Sequence, residues 1–396
     1  MGALHWTHFV WRRLLATSGW FFTGIWNALA MVVLLAVAAT LPVVQLAVLG
    51  YLMEVSGRLA RRRRWSDLFL GWKTAGRWGR WLAGLVACLA PLWLIQDWYY
   101  SAYLINTPAS EPPALAPWTV VLAAALLVHL LAAAYAGGDW RHWLWPYWFP
   151  LVVWQLVRRN RPARDWFPPA MAWQALREGR LVREAREALW NNLAGLHLGY
   201  LFWLGLRGMV ATLLWLIVPV SLMAIAFQGK GAGAGLLAAA GAILYGIIAF
   251  YLPYLQTAFA AEGKLQAFRH VAAVRTAYRS APMVMSVAWI VFFALSLPLY
   301  LLKIEYTPRE LAWLPAVVFV CLGLPGRWAV GWAWGYAQGR PQPAPRWARW
   351  LGNVLLWPAA AAYVFIVFLS QYASWHGTWA LLEQPALLLP VPFWLQ

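Results

Sequence analysis

Long apolar runs recur from one end of the chain to the other, separated by short segments rich in arginine and tryptophan. A helix needs about 20 apolar residues to cross a hydrocarbon layer of about 30 Å, and these runs have that length. The pattern predicts an all-α polytopic membrane bundle of about eight spans, within a range of seven to nine. They are placed at residues 22–53, 81–98, 117–136, 198–227, 236–260, 282–302, 312–336 and 351–372. Pro42 is expected to kink the first span, because it removes a backbone donor in mid-helix.

The polar segments between spans have their own pattern. Residues 1–19 read as a short amphipathic helix at the interface. From Trp173 to Leu193, charges alternate with an apolar stripe at Leu176, Val182, Ala185, Leu189 and Leu193. Arg180–Glu184 and Arg183–Glu187 stand four residues apart, so one amphipathic helix lying on the membrane or on the bundle is expected. The predicted organisation is therefore an interfacial helix (1–19), a first membrane repeat of three spans (20–136) and a cytoplasmic Trp/Arg-rich interfacial segment (137–196). A fourth span (197–228), a second repeat (236–337), and a last span with a tail outside the membrane (351–396) complete it.

Composition supports the bilayer reading: 63% of the residues are hydrophobic and 11% charged, against about 25% charged in a soluble domain. The net charge of +18 changes the picture only through its placement. Residues 57–80, 139–196, 262–281 and 327–349 hold 25 of the 31 Lys and Arg, whereas the segments placed outside hold Lys230, Lys303 and Arg309. That is the positive-inside distribution of a multi-pass membrane protein, with attraction to anionic lipid head groups. A nucleic-acid footprint is not needed to explain the charge. Arg12 and Arg13 are the exception. Either residues 20–53 form a re-entrant hairpin, or the N-terminal helix lies flat outside.

Of the 32 Trp, seven fall within 140–173: Trp140, Trp143, Trp145, Trp148, Trp154, Trp166 and Trp173. An interfacial belt is the expected role of indoles beside arginines, with a stacking platform for a pigment, quinone or base as the alternative. Cys88 and Cys321 lie in apolar spans and imply no disulfide framework. The first apolar run is too long for a signal-peptide core.

A weak internal repeat adds organisation. Leu41-Pro42-Val43-Val44-Gln45 is echoed by Leu252-Pro253-Tyr254-Leu255-Gln256, and Glu54 with Gly57-Arg58 by Glu262 with Gly263-Lys264. Lys73-Thr74-Ala75-Gly76-Arg77 matches Arg275-Thr276-Ala277-Tyr278-Arg279, and Thr107-Pro108 matches Thr307-Pro308, all in one order. A duplication with both copies in one orientation would be a parallel repeat, which brings Gln45 and Gln256 to similar depth. The two glutamines then form a polar site at the repeat interface, or satisfy carbonyls freed by Pro42 and Pro253.

Around these residues, the run Gly50-Tyr51-Leu52-Met53-Glu54-Val55-Ser56-Gly57-Arg58 and then Trp65-Ser66-Asp67-Leu68-Phe69-Leu70-Gly71-Trp72-Lys73 resembles an uncharacterised group of bacterial polytopic membrane proteins that carry a domain of unknown function. Pro298-Leu299-Tyr300-Leu301-Leu302-Lys303-Ile304-Glu305 adds to the likeness, which covers most of the chain. The resemblance implies a helical inner-membrane fold and transfers no catalytic residue.

Motifs for chemistry are absent. The seven His are scattered, with no helical pair-plus-carboxylate spacing for zinc, and neither a Gly-x-Ser-x-Gly elbow nor a phosphate-cradling loop occurs. His129 and His197 are expected as packed polar groups or, alternatively, haem ligands. Arg207 either snorkels to the interface or lies buried with Glu54 or Glu262 as partner. The candidate polar residues are thus Gln45, Gln256, Glu54, Glu262 and Arg207, with no cofactor. The expected function is a non-enzymatic membrane subunit or scaffold that binds anionic lipids or a protein partner in a membrane complex. The alternative is a small-solute or lipid transporter with its site between the repeats.

Overall fold

The computed structural model describes residues 2–64, 68–106, 117–137, 140–143, 168–299, 313–340, 342–373, 377–385 and 387–389. The described residues are helical, with seven helices long and apolar enough to cross a membrane, so the chain is a multi-pass membrane protein. In chain order the helices are α1 (Gly2–Thr40), α2 (Gln45–Arg62), α3 (Trp72–Asn106), α4 (Pro117–Tyr135), α5 (Trp140–Trp143), α6 (Pro168–Arg177) and α7 (Leu181–Ala194). There follow α8 (Leu198–Gln228), α9 (Ala232–Glu262), α10 (Val271–Ser280), α11 (Pro282–Ala294), α12 (Trp313–Gln338), α13 (Arg346–Ala373) and α14 (Ala380–Glu383). The chain divides into two compact units: Met1–Met31 with Gly71–Leu196, and Val32–Leu70 with His197–Gln396.

Two boundaries differ from the sequence expectation. Residues 2–40 form one helix, so no separate interfacial helix ends at residue 19; no proline interrupts that stretch. The predicted first span is two helices rather than one kinked helix. The break at Leu41–Val44 lies beside Pro42, whose ring and missing N–H oppose a continuous helix.

In the first unit, α1 and α3 meet where glycine removes the side chain. A Cβ on Gly79 would lie 2.4 Å from that of Ala30, and one on Gly76 would overlap the Asn27 amide oxygen. The Trp26 indole N–H donates to the Gly76 carbonyl at 3.2 Å. Trp143 is wholly buried in a small core with Cys88 and Ala133, its ring set on Gly84, so this indole is core rather than interfacial belt. His129 hydrogen-bonds the Trp143 carbonyl through Nε2 at 2.9 Å, a packed polar group. Trp173 is exposed beneath the Arg177 guanidinium, 5.1 Å from its ring, while Trp145, Trp148, Trp154 and Trp166 lie outside the described residues. The expected single helix over 173–193 is α6 and α7, broken at Gly179 with φ +66°, a conformation glycine adopts freely. Arg180 pairs with Glu184 at 2.7 Å across the first turn of α7, and the Tyr135 hydroxyl donates to the same carboxylate.

The second unit is built around α2. Every residue of α2 from Ala47 to Gly57 is buried, so the helix presents no face to lipid. The fit depends on absent side chains. A Cβ on Gly50 would lie 1.8 Å from the Leu201 carbonyl oxygen, and one on Gly205 would lie 1.9 Å from that of Leu46, so α2 and α8 touch backbone to backbone. Gly57 faces Ala260 of α9, and Gly331 and Gly335 of α12 sit on the Ser56 and Ala60 carbonyls. In hydrocarbon such close approach supplies the dispersion attraction that a hydrophobic drive cannot. α11 packs between α12 and α13, with the Trp289 indole donating to the Ala249 carbonyl of α9 at 3.0 Å. The loop after α2 is tied to this unit: Tyr51 O–H donates to the Leu70 carbonyl and Trp328 N–H to that of Leu68, each at 2.9 Å.

The last described residues are the largest departure. The tail is expected outside the membrane, yet Ala380, Leu381, Gln384, Leu387, Leu388 and Leu389 are buried within the second unit. Leucines at these positions gain apolar contact with α12, Leu387 lying against Gly323 and Gly326.

Gly50→Ala therefore destabilises the protein by at least about 2–3 kcal/mol, the cost of overpacking. Gly233→Ala, whose Cβ meets nothing within 4 Å, is neutral or stabilising by about 0.5–1 kcal/mol. Thermal unfolding of both variants in the same detergent checks the difference. In the first unit, the Tyr135 hydroxyl, then Arg180, hold the Glu184 carboxyl below its ordinary value. Its contribution is present above the usual carboxylate range near 4.3 and is lost as pH falls through the lower folded value. Hydrogen exchange of α7 is expected to accelerate only at that acidic limb, and Glu184→Gln to remove the dependence.

Candidate functional site

The polar groups of the second unit form two layers, the first at the carboxyl ends of α2, α9 and α12. A helix ends with carbonyls that lack intrahelical donors. At α9, Gly263 turns back with φ +71° and its N–H reaches the Phe259 carbonyl at 2.8 Å. Arg61 then donates through Nη1 to the Ala260 and Ala261 carbonyls, both at 2.8 Å. Arg207 donates through Nη2 to the Gly263 carbonyl at 2.9 Å, its guanidinium 5.5 Å from the Phe259 ring. Two cations at one helix C-terminus complement its dipole, each by about 0.3–1 kcal/mol.

Glu54 anchors this layer. Its side chain is 4% exposed. One carboxylate oxygen accepts from Arg58 Nε at 2.7 Å and Arg61 Nη2 at 3.2 Å, and the other from the Tyr200 hydroxyl at 2.8 Å. A buried carboxylate is tolerated only when paired and hydrogen-bonded in this way. Arg207, half-buried, bonds a backbone carbonyl rather than either expected glutamate. Glu262 faces His270 Nδ1 at 3.7 Å in a partly exposed setting.

The second layer lies deeper. Gln256 is wholly buried, its amide N–H₂ donating to Thr212 Oγ1 at 2.6 Å and to the Leu388 carbonyl at 3.0 Å. Arg327 is also wholly buried, donates through Nη2 to the Leu387 carbonyl, and holds its guanidinium 5.4 Å from the Phe292 ring. Its Nε and Nη1, and Gln256 Oε1, have no hydrogen-bond partner among the described residues. So two side chains from different helices grip adjacent carbonyls of the returning C-terminal segment.

These placements separate the expected pair of glutamines. Ser56 of α2 lies beside Thr257 of α9 (Oγ···Oγ1 3.3 Å), and Arg61 beside Ala260, so the two helices run parallel. Gln45 therefore sits about 16 Å below Gln256 at 1.5 Å rise per residue, half-buried in the first turn of α2. Glu54 and Arg207 are brought to one end of the bundle; Gln45 is not. Sequence reasoning missed Arg327, which it grouped with the basic segment 327–349. The available signal was a lone charge inside the apolar run 312–336, which in a membrane is costly enough to need a reason. It also missed Thr212 and the 384–389 segment. Nothing in a Leu-Pro-rich tail signals that its carbonyls are acceptors. Among the described residues, no group of three or more His, Cys, Asp or Glu is placed to hold a metal ion.

Arg327→Met is expected to leave thermal stability unchanged or raised by about 1–2 kcal/mol, because it removes an unpaired buried charge. It nevertheless frees the Leu387 carbonyl. Proteolysis of a C-terminal tag spacer is therefore expected to accelerate in Arg327→Met, and in Gln256→Leu, without loss of the folded bundle.

Against protein-family models, curated proteins and solved structures, the chain has no match.

Proposed function

We propose that the protein is a non-enzymatic scaffold or subunit of the bacterial inner membrane that holds anionic lipid, and through it a protein partner, at the basic end of its second unit. One observation carries this reading. The interior around α2 is filled by backbone-to-backbone contact at Gly50, Gly57, Gly205 and Gly331, while Arg58, Arg61, Arg207, Lys264 and Arg269 gather where α2 and α9 end. A filled interior with cations at one end suits a body that is held at a membrane surface, where each exposed cation adds about 1 kcal/mol of attraction to anionic lipid. The exposed Trp173, Val182 and Trp190 of α6 and α7 suit an interfacial or partner-facing surface.

The positive-inside distribution assigns the basic end to the cytoplasm. The parallel course of α2 and α9, each closed by a left-handed residue (Arg63, φ 51°; Gly263, φ 71°), is what a duplication in one orientation would give, whereas the separation of Gln45 from Gln256 in depth does not fit the Leu-Pro register of the sequence repeat. Membership of the bacterial group with a domain of unknown function rests on the Gly50–Lys73 motif. A second reading, transport of a small anion, is favoured by the unpartnered Nε and Nη1 of Arg327 at mid-bundle.

Single cysteines in a background lacking Cys88 and Cys321 test the orientation. Lys264→Cys is expected to react with an impermeant maleimide only from the cytoplasmic side, and Gly233→Cys only from the opposite side. In nanodiscs, unfolding temperature is expected to rise when anionic lipid replaces neutral lipid, and the gain to shrink in high salt. No gain overturns the lipid reading. Uptake of phosphate or sulfate into proteoliposomes that Arg327→Met abolishes replaces it with the second.

A further inference from the structure

The lateral surface of the second unit carries a groove of about 280 Å³ between α11 and α12. Met283, Val287 and Val291 line one wall, and Ala329 and Trp332 the other. Eight residues separate Met283 from Val291, so the groove runs for about 12 Å along the helix axis. Val287 and Trp332 are each almost half exposed there, at 49% and 46%. The walls are apolar along this length, which suits a hydrocarbon chain and offers nothing to a polar solute.

What lies at the groove's end gives the occupant a head group. Trp332 stacks on Tyr336 (centroids 5.3 Å apart, planes at 19°), and the exposed Arg340 places its guanidinium 4.3 Å from the Tyr336 ring. The side chains thus grade from aliphatic to indole to phenol along α12, and to guanidinium just past its end. The exposed Arg279 lies in the last turn of α10, just before the break at Ala281 that leads into α11, and its carbonyl accepts the Ala344 N–H at 2.8 Å, so the end of α10 and the segment that follows Arg340 are held together. Neither cation forms an ion pair among the described residues, and Val271–Leu299 and Trp313–Ala373 contain six arginines and no acidic residue. An apolar furrow ending in aromatic groups and two uncompensated guanidiniums matches a chain with an anionic head.

We infer that this groove is a binding site for one anionic phospholipid, its acyl chain along Met283–Val291 and its phosphate between Arg279 and Arg340. The site deepens the lipid reading above and rests on it. Tyr336 and Trp332 mark the depth at which chain gives way to head group, as aromatic side chains do at a membrane interface.

Native mass spectrometry of the full-length protein in mild detergent tests the site, titrated with phosphatidylglycerol and with phosphatidylcholine of the same chains. The unsubstituted protein is expected to hold one phosphatidylglycerol at least about tenfold more tightly than phosphatidylcholine, from two cations near the membrane surface. Arg279→Gln with Arg340→Gln brings the two lipids level, whereas Arg279→Lys with Arg340→Lys keeps most of the preference. Val287→Trp fills the groove and removes the tight site for both lipids, while Val218→Trp, on the exposed face of α8, leaves it intact. If the unsubstituted protein shows no preference for phosphatidylglycerol, the broader lipid reading falls with the site. If it shows the preference and both the double glutamine variant and Val287→Trp retain it, only the site is overturned.

Discussion

The close approach of α2 to its neighbours is the contact on which the second unit depends. Hydrocarbon surrounding a bundle supplies no drive to bury apolar side chains, so helices in lipid associate through packing and shared hydrogen bonds. Around α2 both are present. Gly50 and Gly205 let two backbones touch, Gly57 and Gly331 repeat the device on α9 and α12, and Ser56 meets Thr257 between them. A helix enclosed in this way can carry the buried Glu54, which a lipid-facing helix could not, because Arg58 and Arg61 at its more open end pair with it.

Those charges then do a structural job. Arg61 joins the Glu54 carboxylate to the Ala260 and Ala261 carbonyls near the end of α9, and Arg207 of α8 takes the Gly263 carbonyl just past it. The ion pairs and the helix ends are one network, so the position of each helix end specifies the others. Deeper in the bundle, Arg327 and Gln256 hold the returning chain by its backbone. A carbonyl is a modest partner for a wholly buried guanidinium. The imbalance makes this the point of the structure where an acceptor stronger than a backbone carbonyl would be most favoured.

Much of this was legible in the sequence, and the reasons differ by feature. The helical class, the approximate span number and the charge asymmetry follow from local composition, because the length of an apolar run and the charge of its flanks act without knowledge of neighbours. The salt bridge of Arg180 with Glu184 was legible for the same reason, being one helical turn apart. Trp143 was not: an indole beside arginines reads as interfacial, and only Gly84, 59 residues away, makes room for it in a core. Gln45 and Gln256 were matched by motif, but depth is set by how helices slide against each other, which the Ser56–Thr257 register decides.

The sequence by itself determined that this chain lives in a membrane, where its apolar helices run and which segments carry its positive charge, since hydrophobic length and charge are properties of single segments. Tertiary structure decided that α2 is an enclosed helix instead of half a span, that Arg327 is interior instead of flanking, and that the tail folds into the bundle. Each of those turns on a contact between residues far apart in the chain, where a missing Cβ or a free carbonyl matters only once another helix arrives beside it.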